Sequence, residues 1–350
     1  MSQTNWSREG PPPQVPVWQW VPAEMCPHAG GYAPPEPPSP PPLPRQVVPR
    51  VRWGLPLFLF IATCFSTFWA GFSQGGRLDH GLIYSACVMT ILVCHEGGHF
   101  LQALRHRVPA SLPFFIPFPF GPIGTFGAVI AMSSHVKNRR ALMDIGLSGP
   151  LAGLVPTLIF CVLGLQWSYV GPILPGVTRF GEPLLFKWLY RLEFGPIPPG
   201  YDVYLHPMAW AGWVGLFVTS LNLLPIGQLD GGHILYALMP RRANTIATMF
   251  LAAGALATIV FWWWLPMLLL LLLLGTRHPP TADDTVRLGL LRTFLGWLAL
   301  AFVVIGFTPR PVILEDTGPR PRQDIPPEFR RAPAPFPDWP EEEPAETILV

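Results

Sequence analysis

Long apolar runs, separated by short polar or proline-rich segments, fill the middle of this 350-residue chain. A helix needs about 20 consecutive apolar residues to cross the hydrocarbon core of a bilayer. The runs that reach this length are 53–72, 81–104, 141–165, 207–239, 243–274 and 288–307. The pattern therefore predicts a bundle of membrane-spanning helices.

The run 243–274 does not fit a single upright helix. At about 1.5 Å per residue, it is too long to cross a membrane of about 30 Å once and too short to cross it twice. Pro266 lies inside it. We therefore expect a tight hairpin of two helices that turns near 261–266.

The segment 107–134 is apolar but is not a helix. Four prolines and three glycines follow Ala110 within it, and that density excludes a regular helix. Irregular backbone cannot face lipid, so this segment must pack on protein or line a wet cavity. The stretch 125–132 is a candidate strand, whose free edge would offer backbone hydrogen bonds to an extended peptide.

Composition supports a membrane protein with two unfolded arms. Half of the residues are hydrophobic and only 13% are charged, against about 25% charged in ordinary soluble domains. Of the 46 prolines, fifteen lie in 1–50 and eleven in 308–350. We therefore expect disordered proline-rich arms at 1–50 and 308–350, on either side of a membrane domain at 51–307. The net charge of +2 argues against nucleic-acid binding.

Basic residues predict the orientation of the spans. Arginine and lysine cluster before the first run, between the second and third, after the fourth and before the last. If the spans alternate, all these segments lie on one side, which the positive-inside rule assigns to the cytoplasm. We expect the N-terminus to be cytoplasmic.

The candidate chemistry begins with His95-Glu96-Gly97-Gly98-His99, an H-E-x-x-H motif inside the second run. Residues four apart share one helix face, so both imidazoles can reach one metal ion. Glu96 lies close enough to act as a base toward water at that metal. Three ionisable groups in an apolar run are costly to bury, which favours a functional site over polar residues at a helix end.

Two histidines leave a zinc site one protein ligand short, because catalytic zinc usually has three. The second membrane-embedded acid is Asp230, and the predicted topology brings it to the same depth as His95. Asp230 is therefore the candidate third ligand. A helix cap before Gly231 and Gly232 is the alternative interpretation of this acid.

Several motifs together resemble the site-2 protease family of intramembrane zinc metalloproteases. They are HEGGH at 95–99, NLLPIGQLDGGH at 222–233, GTFGAVIAMSS at 124–134 and DIGLSGPLAG at 144–153. The resemblance covers about 81–240, and extends to the RHPPTADD segment and the last run. It implies one Zn²⁺ per chain, bound by His95, His99 and Asp230, with Glu96 as the catalytic base.

The resemblance also implies roles around the metal. Asn222 and Pro225 would shape the cleft and hold substrate backbone. Gly149 and Gly153 would belong to the core helix beside the site, where small residues also allow close helix packing.

The stretch 121–132 would be the loop or hairpin that receives the substrate strand, with Gly124, Phe126 and Gly127 in contact with it. Many family members carry a PDZ domain in an extracytoplasmic loop. The loop 167–206 of this chain is too short for one, which indicates the PDZ-less branch of prokaryotes and plastids.

The predicted fold class is an all-α polytopic membrane protein. It would have about six or seven transmembrane helices and a short membrane-associated β-hairpin or loop after the HExxH helix. The predicted core of the membrane domain is 81–240.

The predicted function is cleavage of a peptide bond in or near a transmembrane segment of a membrane-protein substrate, within the lipid bilayer. A bacterial inner membrane is the expected setting, because arginine dominates lysine and no transit peptide is evident. The alternatives are a zinc protease that trims prenylated C-termini, a membrane zinc carrier and a non-catalytic scaffold. A carrier needs no base beside its ligands, so Glu96 favours the protease.

The remaining polar residues are expected to be structural. Asp144 would cap its helix or pair with Arg139 or Arg140. His233, one turn beyond Asp230, would make a polar contact near the site. The loop histidines His135, His206 and His278 are expected to be solvated.

Overall fold

The computed structural model describes residues 53–133, 136–173, 179–261, 264–275, 278–310 and 312–313. The N-terminal arm and most of the C-terminal arm lie outside these residues, so both stay predictions. Val312–Ile313, which belongs to the predicted C-terminal arm, pairs with Arg179–Phe180.

The described chain is mostly helical, as the apolar runs predict. The helices are α1 (Gly54–Gly75), α2 (Leu78–Arg105), α3 (Arg139–Gln166), α4 (Leu184–Phe194), α5 (Pro207–Asn222), α6 (Asp230–Leu238), α7 (Ala243–Thr258), α8 (Leu265–Leu274) and α9 (Leu290–Gly306). By length and composition, α1, α2 and α3 can each cross a membrane, whereas α7 and α9 are apolar but shorter. The structure thus supports an integral membrane protein with several spans.

Short antiparallel strand pairs lie between the helices. The strands are β1 (Phe114–Pro117), β2 (Thr125–Val129), β3 (Tyr169–Pro172), β4 (Arg179–Phe180), β5 (Tyr201–Tyr204) and β6 (Val312–Ile313). They pair as β1 with β2, β3 with β5 and β4 with β6. The predicted strand after the HExxH helix is therefore present as β2, and β1 completes a hairpin. The other two pairs were not predicted: β3 and β5 both lie between α3 and α5, whereas β4 from the same segment pairs with β6, which follows α9.

The run 207–239 is not one helix, because a tight turn at 223–229 divides it into α5 and α6. Pro225 is buried in this turn and has no N–H to continue a helix. A Cβ on Gly231 or Gly232 would collide with carbonyl oxygens of the turn, so glycine lets α6 start directly against it. As a result, Asp230 is the first residue of a new helix.

The run 243–274 is a helical hairpin. The α-helix breaks between Thr258 and Leu265, close to the predicted turn. The backbone N–H of His278, just beyond α8, donates to Asn244 Oδ1 near the start of α7 at 3.1 Å. The end of the second helix therefore returns to the start of the first.

Glycines let the central helices α2, α3 and α5 pack closely. A Cβ on Gly98 in α2 would lie 2.9 Å from Ala152 Cβ in α3 and would also collide with the Ser148 carbonyl. Between α3 and α5, a Cβ on Gly212 would lie 2.6 Å from Cys161 Sγ. These contacts bring the backbones of the helices that surround the HExxH motif close together.

Asp144 does not cap α3 or pair with Arg139 or Arg140, so that prediction is wrong. Asn138 caps the helix instead, through a bond from Ala141 N to its Oδ1 at 3.0 Å. Asp144 accepts hydrogen bonds from Arg292 Nε at 2.7 Å and Nη2 at 3.0 Å. It also pairs with His106 Nε2 at 3.0 Å. Since its carboxylate is only 13% exposed, the hydrogen bonds from Arg292 and His106 offset the loss of its hydration.

Replacing Arg292 by methionine should destabilise the membrane domain. The carboxylate of Asp144 would lose its bidentate partner while staying mostly buried, which costs about 1–3 kcal/mol. The apparent melting temperature of the purified protein in detergent measures this effect. Arg287→Met is the matched control, since that side chain is exposed at the same end of the bundle. Equal melting temperatures for both variants would contradict the stabilising role of the Asp144–Arg292 pair.

Candidate metal centre

Two helices bring the three candidate ligands together. His95 and His99 lie one turn apart in α2 and are only 4% and 7% exposed. Asp230, at the first position of α6, faces them because the turn at 223–229 ends α5 and starts α6 beside the two histidines. The structure thus joins residues that are 135 positions apart in the sequence.

The distances between donor atoms fit one metal ion. Asp230 Oδ2 lies 3.2 Å from His95 Nε2, and Asp230 Oδ1 lies 3.1 Å from His99 Nε2. The two Nε2 atoms are 3.2 Å apart. A tetrahedral zinc ion with ligands at about 2.0–2.1 Å would hold its donors roughly 3.3 Å apart. These three residues can therefore hold one metal ion, and this is the one such cluster among the described residues.

The imidazole of His99 is oriented by α3. Its Nδ1 lies 2.8 Å from the carbonyl oxygen of Ile145, which can only accept. The proton is therefore on Nδ1, and the Nε2 lone pair is directed at the cluster. Such a bond fixes the tautomer and the ring orientation of a metal-binding histidine.

Glycines of α3 form a flat wall behind both histidines. A Cβ on Gly149 would collide with the imidazole of His99. A Cβ on Gly153 would lie 3.0 Å from His95 Cβ and 3.2 Å from its Nδ1. The G-P-x-x-G pattern of the sequence thus has a direct physical role, because any side chain at these positions would displace a candidate ligand.

The predicted base and the predicted Asn both lie beside the cluster. Glu96 is 3% exposed and follows His95 directly in α2. Asn222, the last residue of α5, has its Nδ2 3.4 Å from His95 Nε2. Pro225 is buried in the following turn, where it shapes the backbone that leads to Asp230.

The β1–β2 hairpin packs one helical turn away from Asn222. Gly127 lies against Val218 of α5, with its Cβ position 3.8 Å from Val218 Cγ1. Among the described strands, β2 pairs with β1 alone, so its second edge has no strand partner there. Phe126 is half-exposed and its ring centroid lies 4.1 Å from that of Phe118.

Gly124 has a packing role in this hairpin. Its φ of +82° favours glycine, and a Cβ there would lie 2.6 Å from the carbonyl oxygen of Ser66 in α1. Its own carbonyl accepts from Ser66 Oγ at 2.6 Å and from Phe118 N at 3.0 Å. The predicted contact of Gly124 with substrate therefore competes with bonds that tie the hairpin to α1.

The sequence predicted that the loop histidines are solvated, but two of them make specific contacts with the protein. His278 is only 8% exposed, and its Nε2 lies 2.7 Å from Nδ1 of His233. His206 is half-buried and its Nδ1 accepts from Met208 N at 3.3 Å, which caps α5. His135 lies outside the described residues. The resemblance of the RHPPTADD segment to the family was the one sequence signal that could have identified His278.

Two helical histidines, a glutamate and a distant aspartate, set among apolar helices, form the kind of site that metallopeptidases use. The chain belongs to peptidase family M50, whose model matches residues 83–265, more than half of the chain. The resemblance in sequence motifs is thereby confirmed.

Named relatives agree with this family. The chain is 30% identical over 242 residues to "Probable zinc metalloprotease EGY1, chloroplastic" of Arabidopsis thaliana, which covers 66% of this chain and 43% of that protein. It is 31% identical over 177 residues to the EGY2 protein of the same plant, covering 49% of this chain and 31% of that protein. The matched region is less than half the length of either relative. No solved structure matches the chain.

Replacing Gly149 by alanine should reduce metal binding. The new Cβ would occupy the position of the His99 ring, so His99 must turn away, and we expect affinity for metal to fall about 10-fold or more. Metal content after dialysis against a chelator measures this.

Gly97→Ala is the matched control for this prediction. Gly97 lies between the two histidines, but a Cβ there would meet nothing within 4 Å. This variant should keep its metal, and its helix should gain about 0.5–1 kcal/mol. Equal metal retention by the Gly149 variant and this control would refute the role of the glycine wall.

Proposed function

We propose that this protein is an intramembrane zinc metalloendopeptidase that cleaves a peptide bond in or near a transmembrane segment of a protein substrate. The observation that carries the proposal is the cluster of His95, His99 and Asp230, with donor atoms 3.1–3.2 Å apart and Glu96 buried beside them. The M50 family and the relatives named as probable zinc metalloproteases support the same reaction.

Zinc is the metal that this donor set favours. Two imidazole nitrogens and one carboxylate are a common catalytic zinc set that leaves a fourth position for water or substrate. Bound there, zinc would supply Lewis acidity and lower the pKa of water to about 7. His95, His99 and Asp230 would hold it.

Glu96 is the proposed general base and acid. Its carboxylate would accept a proton from the water that attacks the scissile carbonyl, and would then deliver it to the leaving amine. Its burial fits this role, because a dry pocket keeps the proton within the reacting groups. Asn222 is placed to donate its amide N–H groups to substrate backbone beside His95.

The β1–β2 hairpin is the proposed receiver of the substrate strand. A transmembrane helix satisfies its own peptide groups, so it must unwind before a peptide bond can be attacked. The edge of β2 that has no strand partner among the described residues, together with Gly127 and the half-exposed Phe126, would replace the hydrogen bonds that the unwound segment loses. Gly124 would hold the hairpin against α1.

The membrane arrangement extends the observed helices. We propose six or seven spans built from α1, α2, α3, the α5–α6 pair, the α7–α8 hairpin and α9. The segments before α3 and before α9 meet at one end of the bundle, where Ala282 N donates to Val136 O at 3.0 Å and Arg140 Nε to Arg287 O at 2.6 Å. The end of α6 lies there too, because Arg139 Nη2 donates to Leu238 O at 3.2 Å. Positive charge at this end assigns it, and the N-terminus, to the cytoplasm.

The cellular setting stays a prediction. A bacterial inner membrane is proposed, and the relatives above are chloroplastic by name. Both settings agree with the PDZ-less branch.

The alternatives explain the site less well. A zinc carrier or a scaffold has no use for a buried Glu96 at a single compact cluster. A protease that trims prenylated C-termini would use a glutamate as the third ligand, whereas Asp230 is the acid that faces these histidines.

Two substitutions separate catalysis from metal binding. Glu96→Gln should keep one zinc ion per chain but reduce cleavage about 10²–10⁴-fold or more, because the amide cannot accept the proton. Asp230→Ala should lose both zinc and cleavage, because it removes a candidate ligand. Zinc content and cleavage of a single-span model substrate in proteoliposomes measure both properties.

Each alternative gives a different result in this experiment. A carrier or scaffold would bind zinc without cleavage even as wild type. Retained proteolysis in the Glu96 variant would refute the proposed base. A wild-type protein that binds no zinc would refute the function as a whole.

If the α7–α8 hairpin crosses the membrane twice, the proposed topology assigns each loop to one side of the membrane. Thr285, in the loop before α9, should be cytoplasmic, whereas Gln74 at the C-terminal end of α1 and Arg310 after α9 should lie on the opposite side. All three are exposed. Single cysteines at these positions, in a background whose five native cysteines are replaced by serine or alanine, can be labelled with a membrane-impermeant maleimide. Labelling of Thr285→Cys from the side of Gln74→Cys would contradict the proposed topology.

A further inference from the structure

The helix that carries Asp230 is too short to be stable alone. α6 has nine residues, and isolated helices below about 12 residues are marginal in water. Its first turn rests on the backbone at 223–229, where Gly231 and Gly232 pack against carbonyl oxygens. Because the helix is short, contacts farther along α6 also help to fix its rotation and the direction of the Asp230 carboxylate.

A loop from the C-terminal part of the chain makes those contacts. His233, one turn beyond Asp230, lies between Gly146 of α3 and the imidazole of His278. The Cβ position of Gly146 is 3.3 Å from His233 Cβ, and His233 Nδ1 lies 2.7 Å from His278 Nε2. Because residues three apart are neighbours on a helix, the loop packs on the side of α6 that starts with Asp230.

The direction of this hydrogen bond follows from the other nitrogen of His278. Its Nδ1 lies 2.6 Å from the carbonyl oxygen of Pro279, which can only accept, so Nδ1 carries the proton. Nε2 is then an acceptor, and His233 Nδ1–H donates to it. Burial lowers the pKa of His278 from its usual value, which agrees with a neutral ring.

The same loop holds the next turn of α6. The ring of Tyr236 stacks on the His278 imidazole, with centroids 4.4 Å apart and planes inclined by 22°. The hydroxyl of Tyr236 donates to Asp284 Oδ2 at 2.7 Å, and Thr281 Oγ1 donates to Asp284 Oδ1 at 2.6 Å. Loop 278–284 is thus tied to two successive turns of α6.

We propose that His278 is a positioning residue for the candidate metal ligand Asp230, acting through His233 to fix the rotation of α6. This inference rests on the proposed function, since it concerns the same metal. A regular helix turns 100° per residue, so a small rotation of α6 would move the carboxylate away from His95 and His99. The loop after the α7–α8 hairpin is therefore part of the support of the metal site.

The test compares substitutions that keep or remove the acceptor at the Nε2 position. His278→Leu fills the volume without an acceptor, whereas His278→Gln can place an amide oxygen near the same point. Asp283→Asn is the matched control, because Asp283 lies in the same loop but is exposed and accepts only from Thr285 among the described residues. Each full-length protein is purified in detergent.

Three quantities are measured for each variant: the zinc dissociation constant by chelator competition, kcat and KM for a single-span substrate, and thermal unfolding of the metal-free protein. His278→Leu should weaken zinc binding about 10-fold or more and lower kcat with little change in KM. His278→Gln should recover most of both losses, and Asp283→Asn should behave as wild type. A purely structural role would lower the unfolding temperature without this pattern.

The outcomes separate this inference from the proposed function. If wild type binds zinc and His278→Leu binds it equally well, the positioning role is wrong and the function stands. If glutamine is as defective as leucine, the acceptor is not what matters and the inference also fails. If His278→Leu does not fold, Tyr236→Phe provides the test, because it removes one bond of the loop and should weaken zinc binding by a smaller factor. Unchanged zinc affinity in Tyr236→Phe would then overturn the inference.

Discussion

The structure depends on bringing a carboxylate and two imidazoles to within 3.2 Å of one another inside an apolar helix bundle. Groups of this kind are expensive to bury unless they are paired or bind a metal. A metal ion would neutralise the carboxylate and use the lone pairs that the imidazoles direct inward. Each unusual feature near the site can be traced to this requirement, from the glycine wall of α3 to the break between α5 and α6.

The break is needed because of where Asp230 must be. Had 207–239 formed one continuous helix, Asn222 and Asp230 would lie about 12 Å apart along its axis, and both could not approach His95. The turn at 223–229 shortens this distance, since Pro225 ends the helix and glycines at 231 and 232 allow α6 to begin against the turn. Asn222 and Asp230 thereby reach the same imidazole, at 3.4 Å and 3.2 Å.

The sequence predicted the features that follow from local patterns. Apolar length predicted α1, α2 and α3, the density of proline and glycine predicted the non-helical segment with β2, and i, i+4 spacing predicted that His95 and His99 share a face. It failed where the outcome depended on tertiary contacts. Asp144 bonds to Arg292, which is 148 residues away, and His278 is buried against α6. Neither Arg292 nor α6 can be identified as the partner from the residues that neighbour Asp144 or His278 in the sequence.

The error over His278 follows from the way the bundle closes. A short polar stretch between two apolar runs has the composition of an exposed loop, so local reasoning assigns its side chains to water. The α7–α8 hairpin returns the chain to Asn244, next to α6. The polar stretch after the hairpin therefore packs on the later turns of α6, beyond the first turn that carries Asp230. A site built on a broken helix lacks the rigidity of a continuous span. The polar contacts of loop 278–284 restore that rigidity, which gives the C-terminal part of the bundle a direct share in the geometry of the metal centre.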